Sequence, residues 1–394
     1  MTDAIPYTQQ EIQELIAPLF SRHDPKGIYL ANHSLGRPLD ATQTHIDDFL
    51  THWYGDLDAA WEPWLKALEA FQSKVKGLLH LPDPGHVVMK TSAGQGLRAV
   101  LNSFPPGKKI RILTTSMEFD SIDFILRTYS DQDLVDVIFL EPTGHEGCVP
   151  LFSGAVLASA LEPGTDLVVA SLVNFTTGQI LPEAEALVEA AHQNGTAVLF
   201  DTYHSFGVVD LPWTGADFAI GGSYKYVHGG PGACWLAISP QVAGSSEWQT
   251  RDTGWFAKKE LFGYQRDADR AEGPRAWWES TPPVIEAYQA LAGLEYLERF
   301  EVGRLRATNL LQQQQLRAAF SRQGLPVFDP VDPTQFGAFS LLPAANHKEV
   351  VDQLKKQGIR VDSRNGFVRF GPHPLNTQEE FEQVARALKG IRLD

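Results

Sequence analysis

Short apolar runs rich in Val, Ile, Leu and Phe alternate with amphipathic stretches along the middle of the chain. Buried strands that alternate with helices are typical of a mostly parallel sheet with helices on both faces. The last two runs are joined by a loop too short for a helical crossover, so one of these strands is predicted to be antiparallel. The predicted strands are 86–90, 109–115, 134–140, 166–173, 196–201, 217–222 and 233–239, and the helices between the first five are 94–104, 119–130, 153–161 and 182–194.

The pattern also divides the chain into an α/β core and a smaller unit. Residues 240–283 are rich in glycine and proline, which indicates a hinge, and a long helix is predicted to begin at 283. The last third is predicted to be a small α+β unit. The predicted parts are an N-terminal segment 1–40 that packs with the small domain, a large domain 41–282 and a small C-terminal domain 283–394.

Composition narrows the class of partner. The chain has 394 residues and a formal net charge of −15. This acidity disfavours nucleic acid or an anionic membrane as the main partner, because few cations are left to neutralise phosphates. No apolar run approaches the ~20 residues of a membrane span, and the first residues do not resemble a signal peptide. Only two cysteines occur, Cys148 and Cys234, and we expect a reduced, cytoplasmic protein in which both are structural.

A glycine-rich turn in "VVMKTSAGQGLRAVL" joins a predicted strand to a helix. Gly94-x-Gly96 matches part of the dinucleotide fingerprint, and Glu118 follows the next strand, where a ribose-binding acid could lie. The physical basis is more general, since backbone N–H groups and the dipole at a helix N terminus bind any phosphate. The turn therefore predicts a phosphate site near Ser92, with an NAD(P)-dependent dehydrogenase as one reading and a purely structural turn as another.

An acid and a lysine follow two of the later strands. Asp201 ends the run "AVLFD", with His204 three residues further on, and Lys225 lies between Tyr224 and Tyr226. Ligands of open α/β sheets bind beyond the carboxyl ends of the strands, where both groups would lie. Taken singly, Asp201 could cap a turn, His204 could pack in the core and Lys225 could be a surface residue. Phosphate donors, an acid for a pyridinium nitrogen and an amine for an aldehyde together predict pyridoxal 5′-phosphate (PLP).

Several motifs in this order resemble one family. They are "YLANHSLGRP" 29–38, "WYGDLDAAWEPWL" 53–65, "FDTYHSFG" 200–207, "SYKYVHGGPGA" 223–233, "GWF" 254–256, "STPPV" 280–284 and "GFVRFGPHPLNT" 366–377. Over nearly its whole length the sequence resembles the fold-type I, class V PLP-dependent enzymes, and among them the kynureninase family. The resemblance implies a PLP-dependent transferase-like fold with a mixed, mostly parallel sheet, and a cytoplasmic homodimer with the active site near the subunit interface.

The resemblance also implies roles for individual residues. Lys225 would bind the PLP aldehyde as a Schiff base, Asp201 would pair with the pyridine nitrogen, and Tyr224 would shuttle a proton. In this family the phosphate and ring are also contacted from several other positions, two of them expected from the partner subunit. Tyr224 would also contact the phosphate, and the further positions matching PLP contacts are Ser92, Ala93, Phe119 and His204, together with Trp255 and Thr281 from the partner.

A second set of residues would contact the substrate. Arg369 would bind the α-carboxylate as a bidentate fork. The loop residues His33 and Ser34 would lie near the substrate, and Trp64 and Ser280 match positions that select ring substituents. The sequence departs from the family at "MEFDSID", which lacks a usual proline, so either Asp120 or Asp123 could fill the acidic position. It also has Asn32-His33-Ser34 in place of the more usual Gly-Asn-Ser. No metal site is predicted.

The implied reaction is hydrolysis of the Cβ–Cγ bond of L-kynurenine or 3-hydroxykynurenine to L-alanine and an anthranilate, as in tryptophan catabolism and NAD biosynthesis. The alternatives within the cofactor class are an aminotransferase or a lyase that acts on another amino acid. A cysteine desulfurase would need a reactive cysteine in a late loop, where the sequence has none. A non-catalytic PLP-binding sensor would be expected to lack Arg369 or Asp201, and both are present.

Overall fold

The computed structural model describes residues 4–23, 26–267 and 269–393. In chain order the strands are β1 (Ile28–Tyr29), β2 (His86–Lys90), β3 (Ile110–Thr115), β4 (Val135–Leu140), β5 (Gly144–Glu146), β6 (Val149–Leu151), β7 (Leu167–Ser171), β8 (Ala197–Asp201), β9 (Phe218–Gly222), β10 (Cys234–Ile238), β11 (Ser340–Pro343), β12 (Ile359–Arg360), β13 (Asp362–Arg364) and β14 (Phe367–Phe370). The α-helices are α1 (Gln9–Glu11), α2 (Ala41–Asp56), α3 (Trp61–Leu78), α4 (Ala93–Leu101), α5 (Asp120–Asp131), α6 (Gly154–Ser159), α7 (Ala184–Gln193), α8 (Pro240–Ala243), α9 (Val284–Phe300), α10 (Val302–Arg322), α11 (His347–Lys356) and α12 (Gln378–Lys389).

The central sheet has seven strands in the order β2-β10-β9-β8-β7-β3-β4. The pairs among β9, β8, β7, β3 and β4 are parallel, whereas β10 is antiparallel to both β9 and β2. The prediction of one antiparallel strand after the short connection is therefore confirmed. The predicted fold class, a mixed but mostly parallel sheet between helices, is confirmed as well.

The two faces of the sheet are buried in separate clusters, as the β8 side chains show. Leu199 packs into the larger core with residues of α3, α4 and α9, whereas Val198 and Phe200 point into a second cluster with α6 and α7. Side chains that alternate between two buried faces explain why the central strands are apolar without interruption. Because β7, β8 and β9 are parallel, their carboxyl ends meet at one edge of the sheet, and the candidate site lies there.

The C-terminal part has its own sheet, with the order β11-β14-β13, and its own core around Phe320, Phe370 and Phe381. Strand β1 pairs in parallel with β12, which ties the N-terminal segment to this part. The domain boundary at 282/283 stays a prediction, and α9 packs into the larger core rather than into the C-terminal one. The predicted hinge 240–283 begins with the short helix α8 and continues as turns and 3₁₀ helices, and its Trp277 is buried in the larger core.

The N-terminal loop, residues 31–36, packs directly on the segment that contains Lys225. The backbone N–H of Gly36 donates to the carbonyl of Tyr224 at 2.8 Å. A Cβ at Gly36 would lie 1.9 Å from the carbonyl oxygen of Lys225, so the backbones can approach this closely only at glycine. Within the described residues, the helices are all too short or too polar to cross a membrane.

Candidate active site

Lys225 lies three residues beyond the end of β9 and is buried. Its Nζ is 2.5 Å from Nε2 of His204 and 5.5 Å from the centre of the Phe119 ring. Burial lowers the pKa of Lys225 to about 7, with Asp201 raising it and Arg369 lowering it. A substantial fraction of this amine is therefore neutral at physiological pH, which a lysine that attacks an aldehyde requires.

Asp201 is the last residue of β8 and is also buried. One carboxylate oxygen accepts a hydrogen bond from the backbone N–H of Tyr203 at 2.8 Å. Burial raises the pKa of Asp201 to about 6, and that hydrogen bond and Lys225 act against the rise. Burial also lowers the pKa of His204 far below its usual value, and the charge of Lys225 adds to this effect. His204 is thus a neutral ring beside the amine, and its Nδ1 has no partner among the described residues.

The N terminus of α4 lies at the phosphate end of the predicted cofactor site. Ser92 caps the helix, since its Oγ accepts from the N–H of Gln95 at 3.1 Å. The N–H of Ala93 donates to the thiol of Cys234, whose Sγ is 3.2 Å from the hydroxyl of Tyr203. Ser92 and Ala93 therefore connect to the lysine through Cys234 and Tyr203, because the centre of the Tyr203 ring is 5.0 Å from Nζ of Lys225.

Tyr224 joins these groups from the side. Its ring centre is 5.1 Å from that of Tyr203 and 5.6 Å from Nζ of Lys225. Burial raises the pKa of its phenol, which is therefore protonated at neutral pH. Tyr226 points away into the core near Val208, and its hydroxyl has no partner among the described residues. Of the two tyrosines that flank Lys225, Tyr224 thus lies in the site and Tyr226 lies in the core.

Arg369 lies on β14 and is fully engaged by a carboxylate of this chain. Its Nε is 2.8 Å from Oδ1 of Asp362 and its Nη2 is 2.5 Å from Oδ2, and Nη1 donates to the carbonyl of Phe175. His33 Nε2 is 2.6 Å from Oδ1 of Asp362, and the hydroxyl of Ser34 donates to Oδ2. Burial opposes ionisation of Asp362, but His33 and Arg369 hold its pKa far below the usual range.

Two aromatic residues link the surroundings of Lys225 (the lysine group, with Asp201 and His204) to those of Arg369 (the arginine group, with Asp362 and His33). The Phe339 ring lies 5.9 Å from the His204 ring, and the Arg369 guanidinium carbon lies 5.3 Å from its centre. Phe175, whose carbonyl accepts from Arg369, packs edge-on against Phe119 at 5.4 Å. The predicted cofactor and carboxylate groups therefore belong to one site.

Four of the predicted residues lie in a different place. Trp255 donates from Nε1 to the hydroxyl of Thr281 at 3.2 Å, and its ring is 5.8 Å from that of Trp61. Trp64 also packs against Trp61, and Ser280 is exposed beside Thr281. We call the cluster around Trp61, Trp64 and Trp255 the aromatic surface. This surface is connected to α4 through Glu279, the residue before Ser280, which accepts from Gln95 at 2.9 Å. Described contacts do not link it to Lys225.

The three acidic residues near Phe119 have different surroundings. Asp120 is exposed at the start of α5, and Asp123 binds Arg127 on the same helix at 2.8 and 3.0 Å. Glu118 is buried, accepts from Thr115 at 2.6 Å and from Ser171 at 2.5 Å, and burial raises its pKa to about 7. A ribose-binding role for Glu118 is therefore wrong, because its oxygens are occupied inside the protein.

Asp362 was not predicted from the sequence, although the sequence contains a signal for it. Asn365-Gly366 is a strong hairpin turn, and both residues have positive φ values, 46° and 84°. A two-residue turn sets Arg364 opposite Phe367 and hence Asp362 opposite Arg369, as the register of β13 and β14 shows. Tyr203 was also missed, and a Cβ at Gly222 would lie 2.0 Å from its hydroxyl, so this glycine makes room for the phenol.

The residues present fit PLP. A buried amine of lowered pKa interacts electrostatically with a buried carboxyl, and the Phe119 and His204 rings lie next to the amine. The N terminus of α4 is connected to them through Cys234 and Tyr203. The unpartnered Nδ1 of His204 is a further buried polar atom that a bound polar molecule could satisfy. Lys225 would bind the aldehyde, Asp201 the pyridine nitrogen, and Ser92 and Ala93 the phosphate.

The family model for "Aminotransferase class-V" matches residues 28–388. Kynureninase from Geobacillus thermodenitrificans is 26% identical over 395 residues, which cover 93% of this chain and 89% of that protein. Kynureninase from Pseudomonas fluorescens is 25% identical over 389 residues and covers 93% and 90% of the two chains. These alignments run nearly end to end, and the range matched by the family model contains both Lys225 and Arg369.

Solved structures agree with the fold. The apo cysteine desulfurase from Thermococcus onnurineus has a TM-score of 0.80 at 18% identity, covering 98% of each chain. A lysine-to-alanine mutant of C-DES with glycine covalently linked to its PLP cofactor has a TM-score of 0.82 at 18% identity, covering 94% of this chain and 98% of that one. At this identity the likeness concerns the fold alone.

Proposed function

The chain belongs to the aminotransferase class-V family of PLP-dependent enzymes, and from this premise we propose that it is a kynureninase. The reaction is hydrolysis of the Cβ–Cγ bond of L-kynurenine or 3-hydroxykynurenine to L-alanine and an anthranilate. The observation that carries this proposal is the single site in which Phe339 joins the lysine group to a guanidinium fork, in a chain that aligns nearly end to end with kynureninases.

PLP, when bound, supplies an electron sink next to the α-carbon of the amino acid. Arg369 binds the α-carboxylate and thereby fixes the α-carbon relative to Lys225. Nζ of Lys225 would act as the base for the α-proton, and its pKa of about 7 is well matched to that role. Asp201 would keep the pyridine nitrogen protonated, and Phe119 and His204 shield the amine from water.

Tyr224 is the second proton donor and acceptor of the site. Its phenol is protonated at neutral pH and half-buried beside Lys225. Water adds its hydroxyl to the γ-carbonyl, the Cβ–Cγ bond breaks to give the aromatic acid, and Cβ takes up a proton to become the methyl group of alanine. Tyr224 supplies that proton from its hydroxyl and regains one from the attacking water, and Nζ of Lys225 returns the α-proton to the α-carbon.

We also propose that the active unit is a homodimer. Trp64, Trp255 and Thr281 lie on the aromatic surface, which is partly exposed. Trp53, which packs against Trp64, is 52% exposed, and Phe262, which packs against Trp255, is 40% exposed. Exposed apolar patches of this kind favour a protein partner. A second copy would cover the surface and receive Trp255 and Thr281 at its phosphate site, with Trp64 and Ser280 near the substrate ring.

Two variants test the shared site. Lys225→Ala and Trp255→Ala are each expected to have little activity alone, while a mixture that exchanges subunits contains heterodimers with one intact site. Recovery of activity on mixing supports the shared site. If sedimentation shows a monomer, or mixing restores nothing although subunits exchange, the dimer proposal is wrong.

The function itself is tested by incubating the PLP-loaded protein with L-kynurenine and with 3-hydroxykynurenine. We expect equimolar alanine and the corresponding anthranilate, and no turnover by Lys225→Ala. Formation of an α-keto acid without alanine would instead identify an aminotransferase. A desulfurase is disfavoured because the two cysteines of the sequence are poorly placed: Cys234 is buried in β10, and Cys148 lies in the exposed turn between β5 and β6.

A further inference from the structure

The fork that would bind the substrate carboxylate already holds a carboxylate. Asp362 contacts Nε and Nη2 of Arg369 with its two oxygens, at 2.8 and 2.5 Å, which is the bidentate geometry expected for a bound substrate. The third described partner of Arg369 is the carbonyl of Phe175. The Arg369 side chain is 3% exposed, so its charge is compensated chiefly by Asp362.

Asp362 has other partners that would remain if Arg369 were taken from it. His33 Nε2 lies 2.6 Å from Oδ1, and the hydroxyl of Ser34 donates to Oδ2. Both residues belong to the N-terminal loop, which also contacts the backbone of the lysine segment through Gly36. The Asp362 side chain is 17% exposed, so it is less deeply buried than the arginine and can lean toward solvent.

We propose that Asp362 is a specificity-determining residue that occupies the Arg369 fork in the unliganded protein and is exchanged for the carboxylate of the incoming amino acid. On exchange Asp362 keeps its contacts with His33 and Ser34, while Arg369 binds the ligand. The proposal rests on the proposed function only in assigning the ligand carboxylate to Arg369. It implies that carboxylate binding is weakened in the wild type by an internal competitor.

Asp362→Asn removes the competitor and leaves the buried guanidinium without a counter-charge. Such a cation is costly, and a ligand carboxylate relieves the cost. We expect L-alanine to bind the PLP-loaded variant at least tenfold more tightly than the wild type, as measured by calorimetric titration. L-Alaninamide, which lacks the carboxylate, should bind both proteins equally. The variant should also gain more thermal stability from alanine than the wild type does.

A matched control is Asp329→Asn, which removes a carboxylate 3.0 Å from Nε of Arg317, an arginine whose side chain is 8% exposed, outside the site. This change should leave the affinity for alanine unaltered. Equal or weaker alanine binding by Asp362→Asn would overturn the proposal, because Asp362 would then only orient the arginine.

His33→Asn provides a second measurement if Asp362→Asn does not fold. Loss of His33 leaves displaced Asp362 with fewer partners, so exchange becomes harder, and the alanine-to-alaninamide affinity ratio should fall at least threefold. An unchanged or higher ratio would contradict the exchange. Because both assays measure binding of a carboxylate, they stay informative if kynurenine is not hydrolysed; failure of the proposed function is seen separately, as absence of alanine and anthranilate from kynurenine.

Discussion

The reactivity of Lys225 is set by its burial, and its dependence on pH can be calculated. With a pKa of about 7, the amine of the PLP-free protein would be about 90% neutral at pH 8, whereas an ordinary lysine with a pKa of about 10.5 would be ~0.3% neutral. Covalent attachment of PLP requires the neutral amine. The neutral fraction at pH 8 is therefore ~300-fold larger, and we expect attachment to be faster by about this factor than it would be if Lys225 had an ordinary pKa.

The assay mixes PLP-free protein with PLP at a series of pH values and follows the absorbance of the lysine-bound cofactor, with borohydride reduction to confirm the site. Because the amine is protonated below its pKa, the attachment rate should rise with pH. It should reach half its maximum near pH 7 and level off above about pH 8. Lys225→Ala should show no attachment at this position.

Asp201→Asn provides the discriminating perturbation. The negative charge of Asp201 raises the pKa of Lys225, so its removal should move the midpoint of the rate to lower pH. Asp217→Asn is the control, because Asp217 binds His192 at 2.9 Å at the opposite end of the sheet and should leave the midpoint unchanged. A wild-type midpoint near pH 10, or an upward shift in Asp201→Asn, would refute the account of Lys225.

Three further substitutions have expected outcomes. Arg369→Gln removes charge-assisted hydrogen bonds that contribute roughly 2–3 kcal/mol, so KM for the amino acid should rise ~30–150-fold, and an equal loss of alaninamide binding would contradict carboxylate recognition. Tyr224→Phe should lower kcat by about 10²–10⁴-fold with KM little changed; a near wild-type kcat would exclude Tyr224 as the proton donor. Gly366→Ala places a side chain at φ 84° and should destabilise the protein by about 1–3 kcal/mol in urea unfolding. It should also raise KM, because the register that pairs Asp362 with Arg369 is disturbed; an unchanged KM would show that the turn does not control the site.

The sheet was predictable because hydrophobic periodicity reports burial directly. Runs such as 196–201 are apolar without interruption because neighbouring side chains enter two different clusters. The connection between β9 and β10 is too short for a helix, and that constraint alone predicted an antiparallel strand. The cofactor residues were predictable for a related reason: Asp201 and Lys225 follow strands whose carboxyl ends share one edge.

Contacts between distant segments were not predictable in the same way. The packing of α9 into the larger core depends on how it lies against α2 and α3, which periodicity alone does not encode. The partnership of Asp362 with His33 joins residues 329 positions apart and depends on the β1–β12 pairing. Only the pairing of Asp362 with Arg369 could have been deduced from the sequence, because the Asn365-Gly366 turn sets the register of β13 and β14.

The most direct test of the central claim is the fate of solvent oxygen when L-kynurenine is incubated with the PLP-loaded protein in ¹⁸O-labelled water. Hydrolysis at the γ-carbonyl predicts one ¹⁸O atom in the carboxylate of anthranilate, formed in a one-to-one ratio with L-alanine and absent with Lys225→Ala. Kynurenine consumed without labelled anthranilate, or with an α-keto acid in place of alanine, would show that the site performs a different reaction.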